Sequence, residues 1–176
     1  MQKSFMPDNL KILDGSVLKV IAVISMFIDH FALLLAPQIP LLATPLFSIG
    51  SKAITLYYIM RRIGRLAFPI FCFLITEGFT HTRNKKSYAL RLLIFAAISE
   101  IPYNLMKSGH LFYISSQNIF FTLFLGVMFL YILETDCSEL IKLVSMVLLG
   151  VITIILKPDY SLSGALLILL LYILKE

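Results

Sequence analysis

From Leu111 to Leu133 the chain runs without a single Asp, Glu, Lys or Arg. As a helix rising ~1.5 Å per residue, such a run is roughly 34 Å long, enough to cross the ~30 Å hydrocarbon core of a bilayer. The rest of the sequence agrees with a membrane setting: 59% of residues are apolar and 14% charged, where soluble domains average roughly 45–50% apolar. A water-soluble fold of 176 residues has too little interior to hide that much apolar surface.

Charges and turn formers divide the sequence into apolar segments at about 17–36, 63–80, 88–106, 118–134, 140–156 and 160–174. The expected fold is therefore all-α: a polytopic helical membrane bundle of about six transmembrane helices, within a range of five to seven, forming a single integral membrane domain over 1–176. The stretch of about 37–60, with Pro37, Pro40, Pro45 and Gly50, reads as a re-entrant or interfacial element, the alternative being a seventh, broken span. Asp8 and Asp14 just before the first segment and Asp29 within it, with no small-residue cleavage site following, argue against a cleaved signal peptide.

The net charge of +5 does not point to nucleic acid, because Lys and Arg sit in short loops between apolar runs. Topology signals and anionic lipid headgroups explain them better. A cytoplasmic N-terminus places Lys3, Lys11, Lys19, Arg83, Lys85, Lys86, Arg91, Lys142 and Lys175 inside. The fewer Lys52, Arg61, Arg62, Arg65, Lys107 and Lys157 then lie outside. Cys72 and Cys137 differ too much in setting to suggest a disulfide framework, and the sequence calls for no metal.

Ionisable groups inside membrane helices cost about 2.5–3.5 kcal/mol each on insertion scales, so they tend to be partnered and functional. Asp29 and His30 lie about ten residues beyond Lys19, and Glu100 nine beyond Arg91, which places all three at a similar depth from one side. Neighbours on a helix point ~100° apart, so Asp29 is poorly placed to orient His30 and more readily meets an arginine. Arg62 and Arg65 share a helix face and suit a carboxylate or phosphate, while Arg61 is expected to point elsewhere, toward headgroups. Glu77 falls near one mouth of the bundle, as a ligand group or as a partner of the basic loop Arg83 to Lys86. Asn104 follows Pro102 in the third segment, and Gln117 and Asn118 supply amides at the opposite mouth. On physics alone these groups fit an enzyme, a small transporter or channel relaying protons or ions, or a non-catalytic membrane subunit of a pilus or peptide assembly system.

The strings LKVIAVISMFIDH (18–30), RRIGRLAFPIFCFLITEGFTHTRN (61–84), YALRLLIFAAISEIPYNL (88–105), QNIFFTLFLG (117–126) and KPDYSLSGALLILLLYIL (157–174) resemble the TraX family of bacterial membrane proteins. That family is named for an F-pilin acetylase, and its members usually run longer than this chain. The resemblance implies a membrane O- or N-acetyltransferase of the bacterial plasma membrane, taking acetyl from acetyl-CoA. The acceptor would be extracytoplasmic or membrane-embedded, such as a pilin-like peptide N-terminus or a glycan, and a homo-oligomer fits this scheme. It further implies His30 as catalytic base, supported by Asp29, with Glu100 orienting the imidazole. Arg62 and Arg65 would bind the phosphate or thioester side, with the loop Arg83 to Arg91 as an alternative dock for acetyl-CoA. Glu77, Asn104, Gln117 and Asn118 would line the substrate path.

Overall fold

A computed structural model describes residues 14–175; Lys3 and Lys11, expected on the inner side, and Asp8, which argues against a signal peptide, lie outside the described residues. The chain divides within one helix into two compact units, 1–74 and 75–176.

The first unit begins with α1 (Gly15–Leu35), followed by a short α2 (Pro40–Ala43) and the strands β1 (Pro45–Ile49) and β2 (Lys52–Thr55). The strands pair antiparallel with Ile49 opposite Lys52, which leaves Gly50 and Ser51 as a two-residue turn. Gly50 adopts φ 60°, the positive angle that the first position of a type II′ hairpin turn requires and that glycine tolerates best. At ~3.4 Å per residue neither strand exceeds roughly 17 Å, so the segment cannot be a seventh span. Among the described residues no further strand pairs with either hairpin edge, and unpaired backbone groups cannot face hydrocarbon. The hairpin thus gives the interfacial element its form.

Helix α3 (Leu56–Gly64) starts seven residues earlier than the second apolar segment suggests. Its start is set by Thr55, whose side chain accepts a hydrogen bond from the Tyr58 amide at 3.0 Å, an N-cap that satisfies one of the orphan amides of the first turn. The helix breaks at Arg65 and Leu66 before α4 (Ala67–His81). Pro69 accounts for the break, because it has no amide to donate to the Arg65 carbonyl but is tolerated in a helix's first turn. Packing in this unit is dominated by α1 against α3. The buried residues of α1 are Ala22, Ser25 and Ala32, a stripe of small side chains of the kind that lets membrane helices approach closely.

The second unit takes the end of α4 and adds α5 (Lys85–Ser108), α6 (Ile119–Glu134), α7 (Glu139–Leu156) and α8 (Ser161–Ile173). Asn84 caps α5 by accepting from the Ser87 amide at 2.9 Å, and Gly109 ends it at φ 72°, the left-handed position typical of a helix C-terminus. Within the charge-free run Leu111 to Leu133, α6 begins only at Ile119, since the Asn118 side chain caps the helix. Helix α6 packs against α5, α7 and α8. It buries Thr122, Leu123, Leu125, Gly126, Val127, Phe129 and Leu130, as a helix apolar on all sides should. At Gly126 a side chain would collide with Ile168 of α8. One end of the unit is tied by charge: Lys85 pairs with Glu134, which also accepts from the Tyr172 hydroxyl at 2.6 Å, and Lys175 pairs with Glu77 at 2.8 Å.

Four helical stretches, Gly15–Leu35, Leu56–His81, Lys85–Ser108 and Glu139–Leu156, are long and apolar enough to cross a membrane. Ile119–Glu134 and Ser161–Ile173 are shorter apolar helices. These coincide with the six segments expected from the sequence, and the architecture is that of an all-α membrane bundle.

Candidate functional site

Two polar constellations lie in the apolar framework, one in each unit. In the first, Asp29 sits on α1 opposite Gly64 of α3, where any Cβ would collide with it. Arg61 stands one turn before Gly64 on the same face, so its guanidinium reaches Asp29 and forms an ion pair through Oδ2. The arginine expected to point toward headgroups is thus the partner of Asp29. Its reason is Gly64, whose missing side chain brings the two helices close enough. The other oxygen, Oδ1, is buried and has no hydrogen-bond partner.

Arg62 points about 100° away from Arg61 and is exposed, its guanidinium lying 4.9 Å from the Tyr58 ring centre. Arg65, at the C-cap of α3, is exposed as well. Neither makes an ion pair among the described residues, and both remain open to an anion.

His30 is half-buried, and its Nδ1 lies 2.8 Å from the Met26 carbonyl. A carbonyl only accepts, so Nδ1 must carry the proton. In the neutral ring the lone pair is then on Nε2. Five residues separate His30 from the end of α1, roughly 7.5 Å along the axis, which sets it off-centre in the helix, midway between the helix centre and its hairpin end.

The second constellation gathers at the end of the second unit opposite its ion pairs. Glu100 Oε2 accepts from the Asn118 amide at 3.2 Å and from Asn118 Nδ2 at 2.6 Å. Asn118 Nδ2 also donates to the Ala96 carbonyl at 2.7 Å, while its Oδ1 accepts from the Phe120 amide at 2.9 Å. Asn104, 2% exposed, donates through Nδ2 to the Leu111 carbonyl at 3.2 Å. Gln117 bonds through its backbone to Lys157 and Asp159, forming a parallel bridge opposite Pro158. The Thr122 hydroxyl donates to the Asp159 carbonyl. Within the segment Lys157 to Ser161, three residues have positive φ: Lys157 at 48°, Tyr160 at 62° and Ser161 at 41°. For side chains of this size that is strain of order 1–3 kcal/mol each, held in place by surrounding bonds.

Glu77 belongs to neither group. It pairs with Lys175 and lies 3.6 Å from His81, whereas the basic loop sends Lys85 to Glu134. Sequence reasoning missed Arg61 and Gly64, although their spacing of three puts them on one face, and it gave the strained 157–161 segment no role. Nothing local announces left-handed Lys, Tyr and Ser.

The fold and the half-buried charges define a polytopic α-helical membrane protein with two internal polar sites. The TraX protein family model matches residues 14–176, and the chain belongs to that family. It is 36% identical over 133 residues to a protein of Dichelobacter nodosus called probable fimbrial assembly protein FimC, serogroup H1, an alignment covering 72% of this chain and 49% of that one. An uncharacterized protein of Rickettsia prowazekii (strain Madrid E) is 28% identical over 123 residues, covering 70% of this chain and 39% of the relative. The chain therefore spans about half or less of the length of these relatives. No solved structure matches it.

Proposed function

We propose that this protein is an acyltransferase of the bacterial plasma membrane, moving acetyl from acetyl-CoA to an acceptor in a pilus-assembly setting. Family membership and the fimbrial name of the Dichelobacter relative support the setting. The observation that carries the chemistry is His30, whose Nδ1 is held by the Met26 carbonyl so that the Nε2 lone pair is free to act as a base. An acceptor amine or hydroxyl attacks the thioester carbonyl while His30 Nε2 removes its proton. The carbon–sulfur bond then breaks, the new acyl bond remains, and the proton passes from His30 to the departing CoA thiolate. General-base help of this kind contributes typically 10²–10⁴-fold.

Arg61 neutralises Asp29, which leaves Arg62 and Arg65 as the exposed cations of α3 for the phosphates of acetyl-CoA. Planar guanidinium forks suit phosphate oxygens. The acceptor is a pilin-like peptide N-terminus or a glycan.

The test uses the full chain in lipid nanodiscs with labelled acetyl-CoA and a peptide acceptor. Label is expected to move to the acceptor, and His30→Ala is expected to reduce transfer by at least 100-fold while the melting profile stays that of the parent. Undiminished transfer by His30→Ala removes His30 as the base.

A further inference from the structure

The second unit carries an excess of hydrogen-bond acceptors that the acyl-transfer reading does not use. Around Glu100 the donors are already committed. The Asn118 backbone amide goes to Oε2, and Asn118 Nδ2 divides its two hydrogens between Oε2 and the Ala96 carbonyl. The orientation of the Asn118 amide is fixed by its Oδ1, which accepts from Phe120. Glu100 Oε1 is left buried with no partner.

One turn further along the same face of α5 stands Asn104. Its amide is oriented by the Leu111 carbonyl, which takes a hydrogen from Nδ2. Asn104 Oδ1 is consequently a second buried acceptor without a partner, on a side chain only 2% exposed. Buried acceptors left bare are costly and rare in folded proteins, and a half-satisfied carboxylate more so. Both residues spend their other polar atom on the segment 111–118, and both leave an oxygen over. Among the described residues no three His, Cys, Asp or Glu come together as a metal site needs. What fits is a positive group that brings its own donors.

We propose that Glu100 and Asn104 bind a primary ammonium group, the charged form of a free amine such as a peptide N-terminus. An ammonium carries three N–H donors and one positive charge, so it can serve Oε1 and Oδ1 together and neutralise the carboxylate that Asn118 holds only with neutral donors. An acylated amine has lost both the charge and two donors, and this site releases it. The proposal stands on the second unit alone and requires neither acetyl-CoA nor His30.

The experiment measures thermal unfolding and calorimetric binding of the full chain in nanodiscs at neutral pH, without CoA. Glycinamide is the amine and N-acetylglycinamide its uncharged match, with NaCl and KCl at equal ionic strength alongside. Glycinamide is expected to raise the Tm in a saturable way, and the other three are not. In Glu100→Gln the carbonyl can keep the Asn118 bonds while its NH₂ turns the vacant acceptor into a donor. The unliganded Tm should hold, and glycinamide affinity should fall at least tenfold. Asn104→Leu, close to Asn in bulk, removes Oδ1 together with the Nδ2 bond to the Leu111 carbonyl; it is the second variant and should show the same loss. The proposal is overturned by absence of a saturable shift, by an equal shift with N-acetylglycinamide, or by unchanged affinity in both variants. A shift reproduced by Na⁺ or K⁺ also overturns it and assigns the acceptors to a metal cation. Acetyl transfer can fail in the earlier assay while glycinamide still binds, so the two readings fall separately.

Discussion

Asp29 and Glu100 are both carboxylates inside apolar helices, and each keeps one buried oxygen without a partner. They differ in what holds the other oxygen. Asp29 has a full cation, Arg61, brought within reach by the glycine at position 64. Glu100 has only the backbone and side-chain amides of Asn118. The first is a closed ion pair that joins two helices; the second is a carboxylate at the start of α6 that, among the described residues, is held by neutral donors alone. A membrane protein can thus bury an acid for cohesion or hold one ready for a ligand, and the partner's charge tells the two apart.

The largest test of this contrast is Gly64→Leu. A side chain there meets Asp29 directly, so α1 and α3 must separate and the ion pair must open. We expect a loss on the order of 3 kcal/mol or more, since overpacking and a broken buried pair add. Unfolding of the nanodisc-held protein by denaturant measures it. An unchanged midpoint would show that the close helix approach is not what positions Arg61.

Next in size is Arg61→Ala, which strands Asp29. Breaking a buried pair from one side costs about 3–5 kcal/mol, and partial exposure here puts the expected loss at the lower end. The double variant Asp29→Asn with Arg61→Gln should recover most of it. Glu100→Gln lies at the other extreme of the comparison. Because no cation is abandoned, the expected change in unliganded stability is within about 1 kcal/mol. A loss as large as that of Arg61→Ala would mean that Glu100 is also part of a cohesive pair.

How far the sequence revealed these sites follows from the range of the forces involved. Six apolar segments were legible because hydrophobic length and charge boundaries are local properties of the chain. Asp29, His30 and Glu100 also stand out in the sequence, as ionisable groups in apolar runs. The partner of Asp29 was not legible, because Arg61, Arg62 and Arg65 look alike until the position of Gly64 on α3 is matched to α1. The hairpin at 45–55 was hidden by Pro37, Pro40 and its own Pro45, which announce a broken path but not its shape. The charge-free run begins about two turns before its helix, which keeps to the expected segment of about 118–134 because Asn118 caps it.

The segment from Lys157 to Ser161 offers the smallest effect and a direct reading of strain. Lys157 holds φ 48° and ψ 49° as the C-cap of α7, a conformation that a Cβ makes unfavourable and glycine adopts freely. Its carbonyl accepts from the Gln117 amide at 3.2 Å, a backbone bond that any residue can keep. Lys157→Gly should therefore raise stability, by up to about 1 kcal/mol, with part of the gain offset by the greater freedom of glycine in the unfolded chain. The same denaturant measurement reads it. A loss instead of a gain would mean that the Lys157 side chain contributes more than its backbone costs. The segment would then be held for that side chain, and not for the docking of its backbone against Gln117 beside Glu100 and Asn118.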